Sequence, residues 1–256
     1  MTLSFIEYLE QRLHESPPKQ KGLRTKRRLI IAAAKILERD GYHAMRLADI
    51  SSKARLAEGS FYLYFTNKSD IALTVLGELV NDFVPLEIKA PGEDNPFAAI
   101  RAANRRWIAL CRANAGLIRC VWQLGDEDHR IREMLQRSKR SWYERVAHVS
   151  TNGGRSSRRT AAALFAAYLL GGMMDELVRM LIIYPDPRLR EVLDQLQADD
   201  DMVADAASIL WLTIFHPNAK RPRDLSPAAK AVADWIGLDS ELPVRSARST
   251  NNGRRT

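Results

Sequence analysis

The stretch Met45–Asp70, MRLADISSKARLAEGSFYLYFTNKSD, leaves this chain few ways to fold. Leu47, Ile50 and Ala54 recur at helical spacing, which gives a short first helix one apolar face. Arg55-Leu56-Ala57 then makes a turn, with Leu56 placed to pin the flanking helices together. A second helix, from about Glu58 to Tyr64, is too short to be stable alone and must lean on its neighbours. Its residues are small or aromatic, and small residues at a helix N-terminus let the backbone approach another surface. Asn67, with Asp70 three positions on, reads as a helix cap followed by an acid in the first turn. A helix, a tight turn, a short helix and a capped third helix form a helix-turn-helix laid out to enter the major groove of DNA.

The segments around this unit extend the same reading. The chain has 256 residues and a formal charge of +8, a balance that suits a polyanionic partner. Lys19, Lys21, Arg24, Lys26, Arg27 and Arg28 form a run without an acid, directly ahead of the helix that supports the helix-turn-helix. An arm of this kind can reach phosphates or the minor groove, so Arg24, Lys26 and Arg27 are candidate DNA contacts. Before it, residues 1–16 make an amphipathic helix with Phe5, Leu9 and Leu13 four apart, ended by Pro17-Pro18. It reads as a helix that packs locally; the other reading is a helix that covers a partner or a dimer. Ile30, Ala33, Ala34 and Leu37 mark the buried stripe of the next helix, and Gly41 is its stop. A further helix runs from Asn67 to about Phe83, and VPLEIKAPGED at 84–94 reads as a linker. The expected division is an extension at 1–20, a DNA-binding domain at 21–83, a larger domain at 95–240 and a disordered basic tail at 241–256.

The larger domain is helical throughout. Segments at about 96–124 (broken near Asn114–Gly116), 128–150, 157–183 and 200–215 are separated by Gly125, by Asn152-Gly153-Gly154 and by Tyr184–Pro187. No alternating run of β-branched residues argues for a sheet, so the fold class is all-α. Gly171 and Gly172 sit in mid-helix, where each costs about 1 kcal/mol relative to alanine. Such a cost implies close backbone approach. Because a single short helix-turn-helix usually reads DNA as a symmetric dimer, segments 157–183 and 200–215 are expected to form a homodimer interface. Trp107, Trp122, Trp142, Phe165, Tyr168 and Met173 are either plain core or the lining of an apolar ligand pocket. In the second case Asn104, Gln123 and Tyr168 would be its polar handles.

Enzymatic chemistry finds little support. The five histidines are scattered without metal-ligand spacing, and no glycine-rich phosphate loop occurs. Asp126-Glu127-Asp128-His129 reads as a solvated helix start, so no metal, cofactor or catalytic residue is expected. Cys111 and Cys120 read as reduced, buried thiols. No apolar run is expected to span a bilayer, and Glu7 and Glu10 interrupt any secretory signal, which points to the cytoplasm.

Several residues of the helix-turn-helix have the chemistry for DNA. Ser60 can touch a base edge or a phosphate, and Glu58 can accept from a cytosine amino group. Gly59 keeps the backbone close, Lys68 adds a phosphate contact, and Arg46 flanks the first helix. The pattern Asp49-Ile50, Ala54, Leu56, then Gly59-Ser60-Phe61-Tyr62-x-Tyr64-Phe65-x-Asn67-Lys68 resembles the DNA-binding domain of tetracycline-repressor (TetR) family regulators. Arg55 stands where that family usually has glycine, and Glu58 where lysine is common. The resemblance implies that Tyr62 enters the groove and Tyr64 contacts phosphate. It also implies an effector cavity in the larger domain, and a repressor that leaves a pseudo-palindromic operator when a small apolar ligand binds. An effector-independent DNA-organising protein is the alternative of a different class.

Overall fold

The computed structural model describes residues 3–88, 95–150, 157–216, 218 and 220–238. Every regular element among them is helical. The head contains α1 (Phe5–Glu15), α2 (Lys21–Ala44), α3 (Leu47–Lys53), a 3₁₀ helix (Glu58–Leu63) and α4 (Lys68–Glu78). A widened π turn at Leu79–Phe83 carries α4 into α5 (Val84–Ile88). The body follows as α6 (Pro96–Ala113), α7 (Ala115–Glu127), α8 (His129–Ser150) and α9 (Ser157–Val178). A second π turn (Arg179–Ile183), α10 (Pro187–Gln195), α11 (Asp200–Phe215) and α12 (Pro227–Trp235) complete it.

Local chemistry accounts for most of these boundaries. Asp186, Asn95 and Asp199 cap α10, α6 and α11 through side-chain oxygens, and Pro96 and Pro187 occupy first-turn positions where no N–H is missed. Gly41, at φ 80°, bends the end of α2 through a conformation that costs other residues energy. Both π turns precede a proline by two residues, Pro85 and Pro185. A proline ring presses on the carbonyl four residues back, and the wider turn moves that carbonyl aside. The closing bonds accordingly skip one residue more than in an α-helix, from Val84 N–H to Leu79 O and from Tyr184 N–H to Arg179 O.

Four expectations need correction. The basic run is no free arm, because Lys21–Arg28 already form the first turns of α2. Residues 84–88 of the expected linker are helical, stabilised by Arg106, which donates to the backbone O and carboxylate of the buried Glu87. Gly125 lies buried inside α7, which ends at Glu127, and α10 lies where no helix was expected. The Asn152-Gly153-Gly154 loop and the tail at 241–256 lie outside the described residues.

Head and body share one continuous core. The Glu38 carboxylate on α2 accepts from the backbone N–H groups of Gly116 (3.0 Å) and Leu117 (2.8 Å), so it caps the positive end of α7. A Cβ on Gly116 would lie 1.9 Å from the Glu38 carbonyl oxygen, so only glycine permits this approach. Cys120 donates to Leu37 O at 3.6 Å in the same seam, and burial pushes its thiol up to about 11. Such thiols are inert. α1 is tied into the seam as well: Asn114, between α6 and α7, accepts from Phe5 N–H and donates to Leu3 O and Leu110 O. The rings of Phe5 and Tyr8 pack on Phe83 in the π turn, with centroids 5.4 and 5.1 Å away.

Candidate nucleic-acid interface

Phe61 and Phe65 are buried and pack at a tilt with centroids 5.7 Å apart, which ties the 3₁₀ helix to the core of the head. The short reading helix is therefore tighter than an α-helix, since its few residues answer to this anchor rather than to their own hydrogen bonds. Arg55 adopts φ 55°, the left-handed turn that the sequence places between the two helices. Leu56 N–H donates to Ser51 O across that turn. Asn67 Oδ1 accepts from Asp70 N–H, while Asp70 Oδ2 accepts from Thr66 N–H at 2.8 Å, so the two side chains cap α4 reciprocally.

With the core side fixed, Arg46, Lys53, Arg55, Glu58, Gly59, Tyr62 and Leu63 remain exposed. Ser60 and Tyr64 are half-buried, and Tyr64 lies beside Gly22 at the start of α2. The basic residues at the start of α2 are largely engaged within the protein. Arg24 donates to Pro18 O and Lys19 O, Arg27 pairs with Glu78 on α4, and Arg28 donates to Ala54 O. Lys26 sits 5.2 Å above the Phe65 ring, and Lys68 sits 4.5 Å above Tyr42 while reaching His43 O. These bonds brace the helix-turn-helix. They also fix where the cations sit, which free side chains would not do.

The residues expected at a ligand pocket do not converge. Asn104 is buried but bonded to Ser208 Oγ at 2.9 Å, and Gln123 donates to the Tyr184 hydroxyl at the surface. Trp107, Trp122, Trp142 and Met173 pack half-buried against the core. Phe165 and Tyr168 correct the expectation outright: they are 65% and 44% exposed, on the outer side of α9. Trp211 was missed by sequence reasoning; it is buried edge-on to Trp142, and its indole N–H has no acceptor among the described residues. Two clefts, of about 170 and 180 Å³, lie elsewhere. The first is at the head–body seam beside Tyr42, Ser69 and Asp128, and the second is beneath α10 beside Met180 and Leu189.

α9 carries the other exposed surface. Leu170, Met174 and Val178 face the bundle, whereas Phe165, Tyr168, Leu169 and Gly172 face outward. The span Arg158–Ile183 is long and apolar enough to cross a membrane by length and composition, contrary to expectation. Asp175 pairs with Lys139 and Gly171 lies against the Tyr143 ring, so in this fold the helix is a half-buried member of a bundle.

A helix-turn-helix braced on a helical body defines a two-part, all-helical DNA-binding protein. Residues 29–75, which lie within the head, match the family model described as bacterial regulatory proteins, tetR family. The fatty acid metabolism regulator protein of Bacillus subtilis (strain 168) is 36% identical over 56 residues, 22% of this chain and 29% of that protein. The chain thus matches under a third of that relative's length, all of the match falling in a segment of head size. The fold extends further: the fatty acid degradation regulator FadR from Bacillus halodurans superposes with a TM-score of 0.54 at 19% identity, covering 76% of this chain and 96% of that one. FadR from Bacillus subtilis, solved with stearoyl-CoA, gives 0.50 at 18% identity over 72% of this chain and 95% of that one.

Proposed function

We propose that this chain is a cytoplasmic, homodimeric transcriptional repressor that binds a pseudo-palindromic operator and leaves it when a ligand with an apolar body enters the helical domain. The observation that carries the reading is the exposed face of the helix-turn-helix, turned through Arg55 and flanked by braced cations. Tyr62 and Ser60 address the groove, Gly59 lets the backbone approach, and Glu58 accepts from a cytosine amino group. Arg24, Lys26, Arg27, Arg46, Tyr64 and Lys68 supply or position charge and hydroxyls for phosphates. The apolar outer face of α9 and the half-exposed Ile214 of α11 support pairing with a second copy through these two helices.

The ligand reading rests on the aromatic interior. Trp142, edge-on to Trp211, would lie at the site, Trp107, Trp122 and Met173 would join it only once the bundle opens, and an acceptor on the ligand would satisfy the buried indole N–H of Trp211. The stearoyl-CoA held by the Bacillus subtilis relative supports an acyl-type apolar body. The two clefts are small for such a chain, so binding would select a more open arrangement of the bundle. The seam through Glu38 and Asn114 would pass that change to the heads, whose separation must match major grooves about 34–36 Å apart.

The test is selection of bound fragments from a random duplex library at near-physiological salt with the full chain, followed by sequencing. Enrichment of an inverted repeat is expected, with Tyr62→Ala weakening the selected site while the dimer persists. Binding without enrichment would overturn the operator reading in favour of a DNA-organising protein.

A further inference from the structure

The reading element has an unusual chemistry for its task. Bidentate recognition of guanine uses arginine or lysine, and that of adenine uses asparagine or glutamine. The segment Ala57–Leu63, AEGSFYL, contains none of the four. What it presents instead is set by the 3₁₀ geometry, in which side chains three residues apart share one row. Phe61 occupies the inward row and is fully buried, so the rows Gly59–Tyr62 and Ser60–Leu63 flank it. Leu63 is 78% exposed, the highest value among the large apolar side chains between residues 21 and 88, ahead of Tyr62 at 60%. Among the described residues Leu63 belongs to neither the buried core nor the side chains packed against it, whereas its neighbours Phe61 and Phe65 are part of that core.

One feature of the major groove suits an isobutyl group at that position, the 5-methyl group of thymine. We propose that Leu63 is a base-reading residue of this head and that it recognises thymine by packing on that methyl group. Ser60, in the same row one turn back, is short enough to leave the groove edge open for the contact. The exposed leucine sheds its hydration water only on binding, so the contact discriminates by burial rather than by a hydrogen bond. This inference rests on the DNA-reading role of the head and specifies what that head reads.

The test replaces each thymine of a selected duplex, one position at a time, by deoxyuridine, which removes the methyl group and keeps the base pair. Affinity of the full-length protein is read by fluorescence anisotropy. One thymine in each half-site is expected to respond, with binding about fourfold weaker per half-site changed, the equivalent of one buried methyl group. Leu63→Ala should bind the thymine duplex more weakly and lose the response, whereas Leu63→Met, which keeps an apolar contact, should retain it. An exposed side chain has no core to lose, so both variants should melt as the parent does. The proposal is overturned if no thymine responds, or if Leu63→Ala responds as the parent does. Either result leaves sequence-specific binding intact, and so is distinct from a library with no enrichment, which would overturn both readings.

Discussion

Replacing Asn114 by alanine should release α1 from the head–body seam. Asn114 is 1% exposed, accepts from Phe5 N–H at 2.8 Å, and donates to Leu3 O at 2.7 Å and to Leu110 O at 2.8 Å. A neutral hydrogen bond nets about 1 kcal/mol, but a buried N–H left without an acceptor costs about 1–3 kcal/mol. The alanine variant loses the acceptor for the first turn of α1 and the tether on Leu3 together, so about 2–4 kcal/mol of local stability should go. At 11 residues, α1 is below the length at which an isolated helix persists. Among its remaining anchors are the buried side chains of Phe5 and Leu9, the Tyr8 ring on Phe83 and the Glu10–Lys35 ion pair. Hydrogen exchange on the full chain should show α1 amides exchanging roughly 30- to 900-fold faster, the range that 2–4 kcal/mol implies. Amides of α11 should be unaffected. Unchanged protection of α1 would refute the tether, and an equal loss in every helix would show that α1 opens only with the whole molecule.

The two mid-helix glycines of α9 should respond in opposite ways. A Cβ at Gly171 would lie 2.2 Å from Tyr143 Cε1, so Gly171→Ala should destabilise the fold by up to about 2 kcal/mol, the overpacking cost of about 1–3 kcal/mol less about 1 kcal/mol gained in helix propensity. Nothing lies within 4 Å of a Cβ at Gly172, so Gly172→Glu should fold normally and sediment as a monomer; a persisting dimer would remove that face from the interface. At the start of α8, Arg130 holds the Asp128 carboxyl down to about 2 while donating to Ser69 Oγ of the head at 2.8 Å. The depressed value means that the pair stabilises the fold above about pH 4 and loses that contribution as the pH falls towards 2. At this partly exposed site it is worth no more than about 1 kcal/mol. Arg130→Gln should return the Asp128 titration to the ordinary carboxylate range by NMR, and a value that stays near 2 would refute the pairing.

Much of the head was legible because its signals are local. Asn67 with Asp70, the spacing of Ile50 and Ala54, and the pair Phe61 and Phe65 each act within a few residues, so caps and buried faces follow from spacing. The basic run was legible as charge but not as structure. Its partners Glu78, Ala54 O and the Phe65 ring lie far along the chain, and only folding brings them to Arg27, Arg28 and Lys26. α10 was missed because it is a short, polar helix that buries no side chain fully and follows directly on the breaker Tyr184–Pro187, where the chain reads as a loop.

The sequence by itself determined an all-helical chain, its main helix starts and stops, and a helix-turn-helix near its beginning. These follow from periodicity, capping and proline placement, which act over one or two turns. Tertiary structure decided the orientation of α9, which is apolar nearly all round, so spacing could not say that Phe165 and Tyr168 face outward. It also decided that Glu38 would cap α7, that α1 would lock onto Asn114, and that Leu63 would stand free on the reading helix. Each of these depends on groups distant in sequence, or on which side of a short helix the core claims first, and neither is encoded in local spacing.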